Sequence, residues 1–308
     1  MYRPHGIVAS LVTNFTPSGA LDRKGIVATV DFLAGQGIHG VCICGGTGEA
    51  LSLTDGEHAA AVEAAVEGAA GRCAVVAGAL HVDPARIAVA ARAAARARAD
   101  AVMIIAPYFV RPSPDDIYDH VARLADLVDP PLILFNTPSR AGLDMDARLL
   151  IRIATHIPKV VGFKEASGDI AKFTRVVRES PPDFRLLQGL DDLVLPSLAL
   201  GGAGALITLG AVLPRLFVSL FDAVGRNDVA RARSLQLAAV PVIDAVYATP
   251  NPSGTKRLLE LLGRPGGPVR PPLRTVRAGQ DEHLTRLVPL IEQLEPEAAL
   301  GGVGGARR

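Results

Sequence analysis

Eight short apolar runs recur along the chain, at residues 7–12, 41–44, 74–77, 101–105, 132–135, 160–164, 185–188 and 205–208. Each is nearly continuous in Val, Ile, Leu and Ala rather than alternating with polar residues. That is the pattern of a parallel strand covered on both faces. Longer amphipathic or Ala-rich segments lie between them, and their spacing predicts helices over 24–36, 56–68, 84–99, 114–127, 146–155, 170–179, 191–200 and 214–224. Ser113-Pro114 and Asp83-Pro84 each set a capping side chain before a first-turn proline. Eight strand–helix units in strict alternation predict an α/β chain closed into a (β/α)8 barrel. An open, doubly wound sheet is the competing reading.

Beyond Gly225 the alternation stops. Residues 227–247, 254–262 and 282–294 read as helices, and a Pro/Gly-rich stretch spans 263–272. The expected organisation is a barrel over 1–225, a helical extension packed on it over 226–296, and a disordered tail over 297–308.

Composition narrows the function. The chain has 308 residues, a formal net charge of +1 and no Trp. The densest basic stretch, 86–98, alternates Arg with Ala and reads as a solvated helix face, so nucleic-acid binding is not expected. No apolar run approaches the roughly 20 residues that cross a bilayer, and residues 1–6 lack a basic start followed by an apolar segment. No membrane partner is expected, and the cytoplasm is the expected location. Cys42, Cys44 and Cys73 have no zinc-type spacing and read as reduced core cysteines.

Three sites carry candidate chemistry. Lys164 ends an apolar strand, where burial strips hydration from its charge and lowers the pKa of the amine. That is how lysines become nucleophiles towards carbonyl carbon. The plainer reading pairs it with a carboxylate such as Glu165 or Asp169. The turn at 44–49, C-G-G-T-G-E, leaves backbone N–H groups free for an anion. It also reads as a simple tight turn, but not as a dinucleotide loop, since Leu51 stands where the last Gly is needed. Arg140 presents a fork suited to a carboxylate, or is a surface arginine.

Together these pieces resemble the family of dihydrodipicolinate synthase and N-acetylneuraminate lyase. The matching stretches are G-G-T-G-E-A-L-S-L-T at 45–54, A-P-Y-F-V-R-P at 106–112, F-N-T-P-S-R-A-G at 135–142, G-F-K-E-A-S-G-D at 162–169, L-Q-G at 187–189 and N-P at 251–252. The resemblance covers about residues 6–262. It implies a Schiff-base-forming, pyruvate-dependent class I aldolase or lyase with no cofactor and no metal, commonly a homotetramer built as a dimer of dimers. Its ligands are then a small 2-oxo acid and an aldehyde. Lys164 matches the Schiff-base lysine. Gly45, Gly46 and Thr47 match the turn that holds the pyruvate carboxylate, and Arg140 matches the arginine of the synthase branch that holds the aldehyde's carboxylate. Gly189 and Leu206 complete the expected binding set.

The chain departs from the family at three hydroxyls. Phe135 stands at the relay tyrosine, Gly46 at the first Thr of G-T-T-G-E, and Phe109 at the tyrosine that reaches into a neighbouring subunit, with Tyr108 beside it. Three readings follow: a lyase or synthase moving protons through water, Thr47, Tyr108 or Ser167; a slow 4-hydroxy-tetrahydrodipicolinate synthase using pyruvate and aspartate semialdehyde; or a non-catalytic paralogue that binds a 2-oxo acid.

Overall fold

The eight apolar runs fold as the parallel strands β1 (Gly6–Ser10), β2 (Gly40–Ile43), β3 (Ala74–Ala79), β4 (Ala101–Ile105), β5 (Leu132–Asn136), β6 (Val160–Glu165), β7 (Arg185–Gln188) and β8 (Gly204–Ile207). This is a computed structural model, and it describes residues 2–300, with side chains through 296. Each strand bonds the next, and β8 returns to β1 in the register Gly6↔Gly204 and Val8↔Leu206. That closure excludes the open sheet.

Side chains alternate across a strand, which divides the core in two. Val8, Cys42, Val76, Met103, Ile133, Leu187 and Leu206 fill the barrel. Ile7, Val41, Val75, Val102, Leu134 and Phe163 face outward under the helices. Truncating a buried aromatic such as Phe163, which is fully covered, typically costs about 3–5 kcal/mol.

The helical layer is α1 (Arg23–Gly35), α2 (Asp55–Ala69), α3 (Pro84–Ala97), α4 (Pro114–Leu127), α5 (Pro138–Ala141), α6 (Ala147–His156), α7 (Ile170–Glu179), α8 (Val194–Ala199) and α9 (Pro214–Gly225). Both proline-marked starts are capped as expected. Ser113 Oγ accepts from the Asp116 N–H at 3.2 Å, and Asp83 Oδ1 from the Ala85 N–H at 2.9 Å. The arginines of α3 are exposed while Ile87, Ala88, Ala91 and Ala94 are buried, so the basic stretch is a solvated face.

Two elements differ from expectation. The helix expected over 191–200 is a 3₁₀ turn, Asp191–Leu193, followed by the short α8. Asp191 is held by bonds from outside the helix: its carboxylate accepts from the Leu209 N–H at 2.8 Å, and its carbonyl accepts from Gln236 Nε2 at 3.0 Å. The single turn α5 falls outside the helices that the spacing predicts; Pro138 opens it and Gly142, at φ +72°, closes it.

After Gly225 come α10 (Val229–Tyr247), α11 (Ser253–Leu261) and α12 (Ala278–Leu300), and α10 and α12 both pack on α9. α12 runs through 297–300, which the tail was expected to include; the remainder of that tail, 301–308, lies outside the described residues. Among the described residues no helix is long and apolar enough to cross a membrane.

Candidate active site

Lys164 reaches the barrel mouth because β6 breaks its own alternation. The register slips between Leu132↔Val160 and Ile133↔Gly162, leaving Val161 as an extra residue. A bulge of this kind re-aims the side chains beyond it. Val160 packs outward and Val161 inward; without the slip Phe163 would also point inward, yet it packs in the outer layer. Lys164 is thereby turned into the barrel.

There the lysine is buried, and among the described residues it makes no ion pair with a carboxylate. Glu165, its expected partner, is engaged elsewhere: it accepts from Asn136 Nδ2 at 2.8 Å and from the Ser167 N–H at 2.7 Å, and lies 3.5 Å from Lys172 Nζ. Asp169 instead caps α7 through the Lys172 N–H at 2.8 Å. Lys164 Nζ stands 4.3 Å from the centre of the Phe135 ring. Gly189 makes room for it, since a Cβ there would lie 3.1 Å from Lys164 Cε and 2.7 Å from Ala166 Cβ. Burial pulls the amine pKa down from 10.5 to about 8; nearby Cys42 and Asp191 oppose the fall and Arg140 adds to it. At neutral pH this raises the neutral, nucleophilic fraction by roughly two orders of magnitude over an exposed lysine.

The Gly-rich turn follows β2. Cys44 and Glu49 bracket it with φ of +56° and +51°. The amides of Gly48, Glu49 and Ala50 donate back to the carbonyls of Gly45 and Gly46, and the amides of Gly46 and Thr47 take no part in those bonds. Successive free N–H groups of this kind form a concavity for an anion. Two anchors fix the turn. Thr13 Oγ1 donates to the Gly48 carbonyl at 2.6 Å, and the buried Glu49 carboxylate meets Lys256 Nζ at 2.7 Å and accepts from the Arg270 N–H at 2.8 Å. The 263–272 stretch therefore ties the C-terminal extension to this turn. Arg140 reaches over it: a Cβ at Gly46 would lie 3.9 Å from Arg140 Nη1.

These pieces line a cavity of about 180 Å³. The sequence profile of the dihydrodipicolinate synthetase family matches residues 3–292. The chain belongs to that family. It is 34% identical over 286 residues to the 4-hydroxy-tetrahydrodipicolinate synthase of Methanopyrus kandleri, covering 92% of this chain and 95% of that one. It is 37% identical over 270 residues to 4-hydroxy-tetrahydrodipicolinate synthase 1 of Streptomyces coelicolor, covering 87% and 88%. The crystal structure of the Cyanidioschyzon merolae dihydrodipicolinate synthase with lysine bound superposes with a TM-score of 0.90 at 29% identity, over 94% of this chain and 98% of that one. As a member of this family the chain is a lyase of the class I aldolase type.

Of the expected residues, Gly46, Thr47, Phe135, Arg140, Lys164 and Gly189 line the cavity of this family member. Four others do not. Gly45 faces Cys42 Sγ and Met103 Cε inside the barrel. Leu206 is fully buried in the barrel core; two residues further on, Thr208, just past the end of β8, lines the cavity instead. Tyr108 packs on the edge of the inner core outside the cavity, and Phe109, at φ +72°, is 97% exposed and does not line it. Ser167, considered as a proton carrier, instead accepts from the Asp169 N–H at 3.2 Å.

The residues that sequence reasoning missed form the wall opposite Phe135. Thr208, Tyr247 and Asn251 line it, and fully buried Asp191 stands behind. Thr47 Oγ1 lies 3.2 Å from Thr208 Oγ1 and accepts from Asn251 Nδ2 at 3.2 Å. Only Asn251 had a signal, the N-P dipeptide. Tyr247 ends a helix that looked like a remote appendix.

Proposed function

We propose that Lys164 condenses with the carbonyl carbon of pyruvate or a close 2-oxo acid, giving an imine that enters carbon–carbon chemistry with an aldehyde. The observation that carries this reading is a buried lysine that makes no ion pair among the described residues and shares one small cavity with an anion-sized turn. The amides of Gly46 and Thr47 take the carboxylate, which holds the carbonyl near the amine and favours attack by proximity. Borohydride reduction with pyruvate, followed by peptide mass analysis, tests it. Label is expected on Lys164, and none in Lys164→Ala. Failure of a broad 2-oxo acid panel to label the folded protein overturns the reading.

The specific reaction with aspartate semialdehyde is the second reading, favoured by the names of the relatives and by Arg140 above the turn. Arg140→Ala is then expected to weaken an acidic acceptor by about 1.5–3 kcal/mol, the scale of hydrogen bonds to charged groups. Unchanged binding of every acidic ligand returns Arg140 to a surface role. The non-catalytic reading has less behind it, because a purely binding site has no need of an unpaired buried amine.

We also propose that the chain forms a homotetramer, with the exposed Phe109 and its neighbour Val110, 53% exposed, covered by another subunit. Light scattering at micromolar concentration checks this; a monomer overturns it.

A further inference from the structure

Imine formation requires a proton carrier. The amine nitrogen loses protons as it attacks, and the carbonyl oxygen gains them and leaves as water. The cavity wall beside Lys164, at Phe135, Ala166 and Gly189, supplies none, and the nearby Cys42 thiol lies in the barrel core outside the cavity, its pKa pushed up to about 11 by burial. Among the described residues that line the cavity, the side chains that titrate are Lys164, Arg140 and Tyr247. Lys164 is the nucleophile and Arg140 holds its protons throughout.

We propose that Tyr247 is the acid–base catalyst of this site and that Asp191 is its proton store. The assignment rests on the imine reading above. Tyr247 is half exposed as a residue, but its hydroxyl donates to Asp191 Oδ2 at 2.6 Å, and Asp191 is fully buried. The other oxygen of Asp191 accepts from the Leu209 N–H at 2.8 Å, which fixes the carboxylate plane. Asp191 is near enough to Lys164 for their charges to interact. Thr208 lines the same cavity wall as Tyr247, and its Oγ1 lies 3.2 Å from Thr47 Oγ1 in the carboxylate turn. Two hydroxyl pairs, Tyr247 with the buried acid and Thr208 with Thr47, thus share the wall beside the place where the 2-oxo acid would sit.

The protons balance. Burial pushes the Asp191 carboxyl above the usual carboxylate range and also raises the Tyr247 phenol; when Asp191 carries a proton on Oδ2, the bond to Tyr247, 2.6 Å long, runs from the acid to the phenol oxygen, which frees the phenol proton to turn towards the substrate. Attack by the neutral amine forms the C–N bond, and the phenol shuttles one amine proton to the carbonyl oxygen. The resulting hydroxyl then leaves with its bonding electrons and takes a proton from Tyr247, which Asp191 replaces. The products are water, a protonated iminium and the Asp191 carboxylate, whose charge now stabilises the iminium.

The test is the time course of borohydride labelling by pyruvate at pH 7. Tyr247→Phe is expected to slow labelling by about 10²- to 10⁴-fold, the usual contribution of a general acid–base group, while the final extent of labelling is preserved. Phe135→Tyr, added to Tyr247→Phe, is expected to recover rate by returning a phenol to the opposite wall; a merely structural loss would not be rescued there. Asp191→Asn, which keeps an acceptor for Leu209, is expected to slow labelling and serves if Tyr247→Phe does not fold. Wild-type labelling with an unchanged rate in the folded variant overturns the assignment and leaves the imine reading standing. No labelling of wild type overturns both.

Discussion

Two regions of the molecule bury a lysine against a phenylalanine, and they do opposite things with it. At the barrel mouth, Lys164 Nζ lies 4.3 Å from the Phe135 ring; at the seam between barrel and C-terminal extension, Lys256 Nζ lies 4.4 Å from the Phe15 ring. Both side chains are almost completely covered. Lys256 meets the buried Glu49 carboxylate at 2.7 Å and donates to the Pro268 carbonyl at 2.6 Å. Lys164 makes no ion pair among the described residues. Burial pulls both amines down, but at Lys256 the bond to Glu49 opposes the pull. Burial with a counter-ion gives a clamp, and burial without one gives a nucleophile. The two regions are also connected, because Glu49 ends the turn expected to hold the substrate's carboxylate.

The largest effect expected from this contrast is at the clamp. Glu49→Gln leaves Lys256 charged, buried and uncompensated, which typically costs about 3–5 kcal/mol. Denaturant unfolding of the variant measures it. A loss below about 1 kcal/mol would mean that the pair is not the clamp described and would remove the contrast. Replacing both partners by apolar residues of similar volume is expected to recover much of the loss, since a buried ion pair is a weak stabiliser relative to a packed apolar pair.

The next effect is on rate. With the Lys164 amine at about 8, labelling by pyruvate requires the neutral form. Its initial rate is expected to rise roughly tenfold per pH unit below 8 and to level above it. A half-rise near 10.5, measured between pH 6 and 11 at fixed ionic strength, would show an ordinary solvated lysine and sink the comparison.

The barrel was legible because strands buried on both faces leave continuous apolar runs, and the runs at 101–105 and 185–188 match β4 and β7 to the residue. Lys164 was legible as the charged end of such a run. What turns it inward was not, because the slip at Val161 leaves no mark in a Val-Val-Gly run. The polar wall was illegible for a different reason. Asp191, Thr208 and Tyr247 come from three segments, and only closure of the barrel and docking of α10 bring them together. Gly45 and Leu206 match the family's binding set by position, but strand alternation turns Leu206 into the barrel core, and the open side of Gly45, in the turn after β2, faces Cys42 and Met103 there.

The smallest expected effect sharpens the contrast at Lys164 itself. If the amine is a functional group held against its own solvation, removing it should stabilise the fold. Lys164→Met keeps the length and apolar stem and discards the charge. The displacement of the pKa from 10.5 to about 8 corresponds to roughly 3 kcal/mol held against the folded state, and loss of the contact with Phe135 returns part of that, so a gain of about 1–3 kcal/mol is expected near pH 7. The sign follows from the protons bound. Below about 8 the lysine is protonated in both folded and unfolded chains, so wild type carries the whole penalty. Between about 8 and 10.5 the unfolded chain holds a proton that the folded chain lacks, so wild-type stability rises with pH. The advantage of Lys164→Met should therefore be full at neutral pH and vanish as pH approaches 10.5. Lys256→Met, made beside it, should destabilise at pH 7 by stranding Glu49. If both substitutions move stability in the same direction, the counter-ion is not what separates the two lysines.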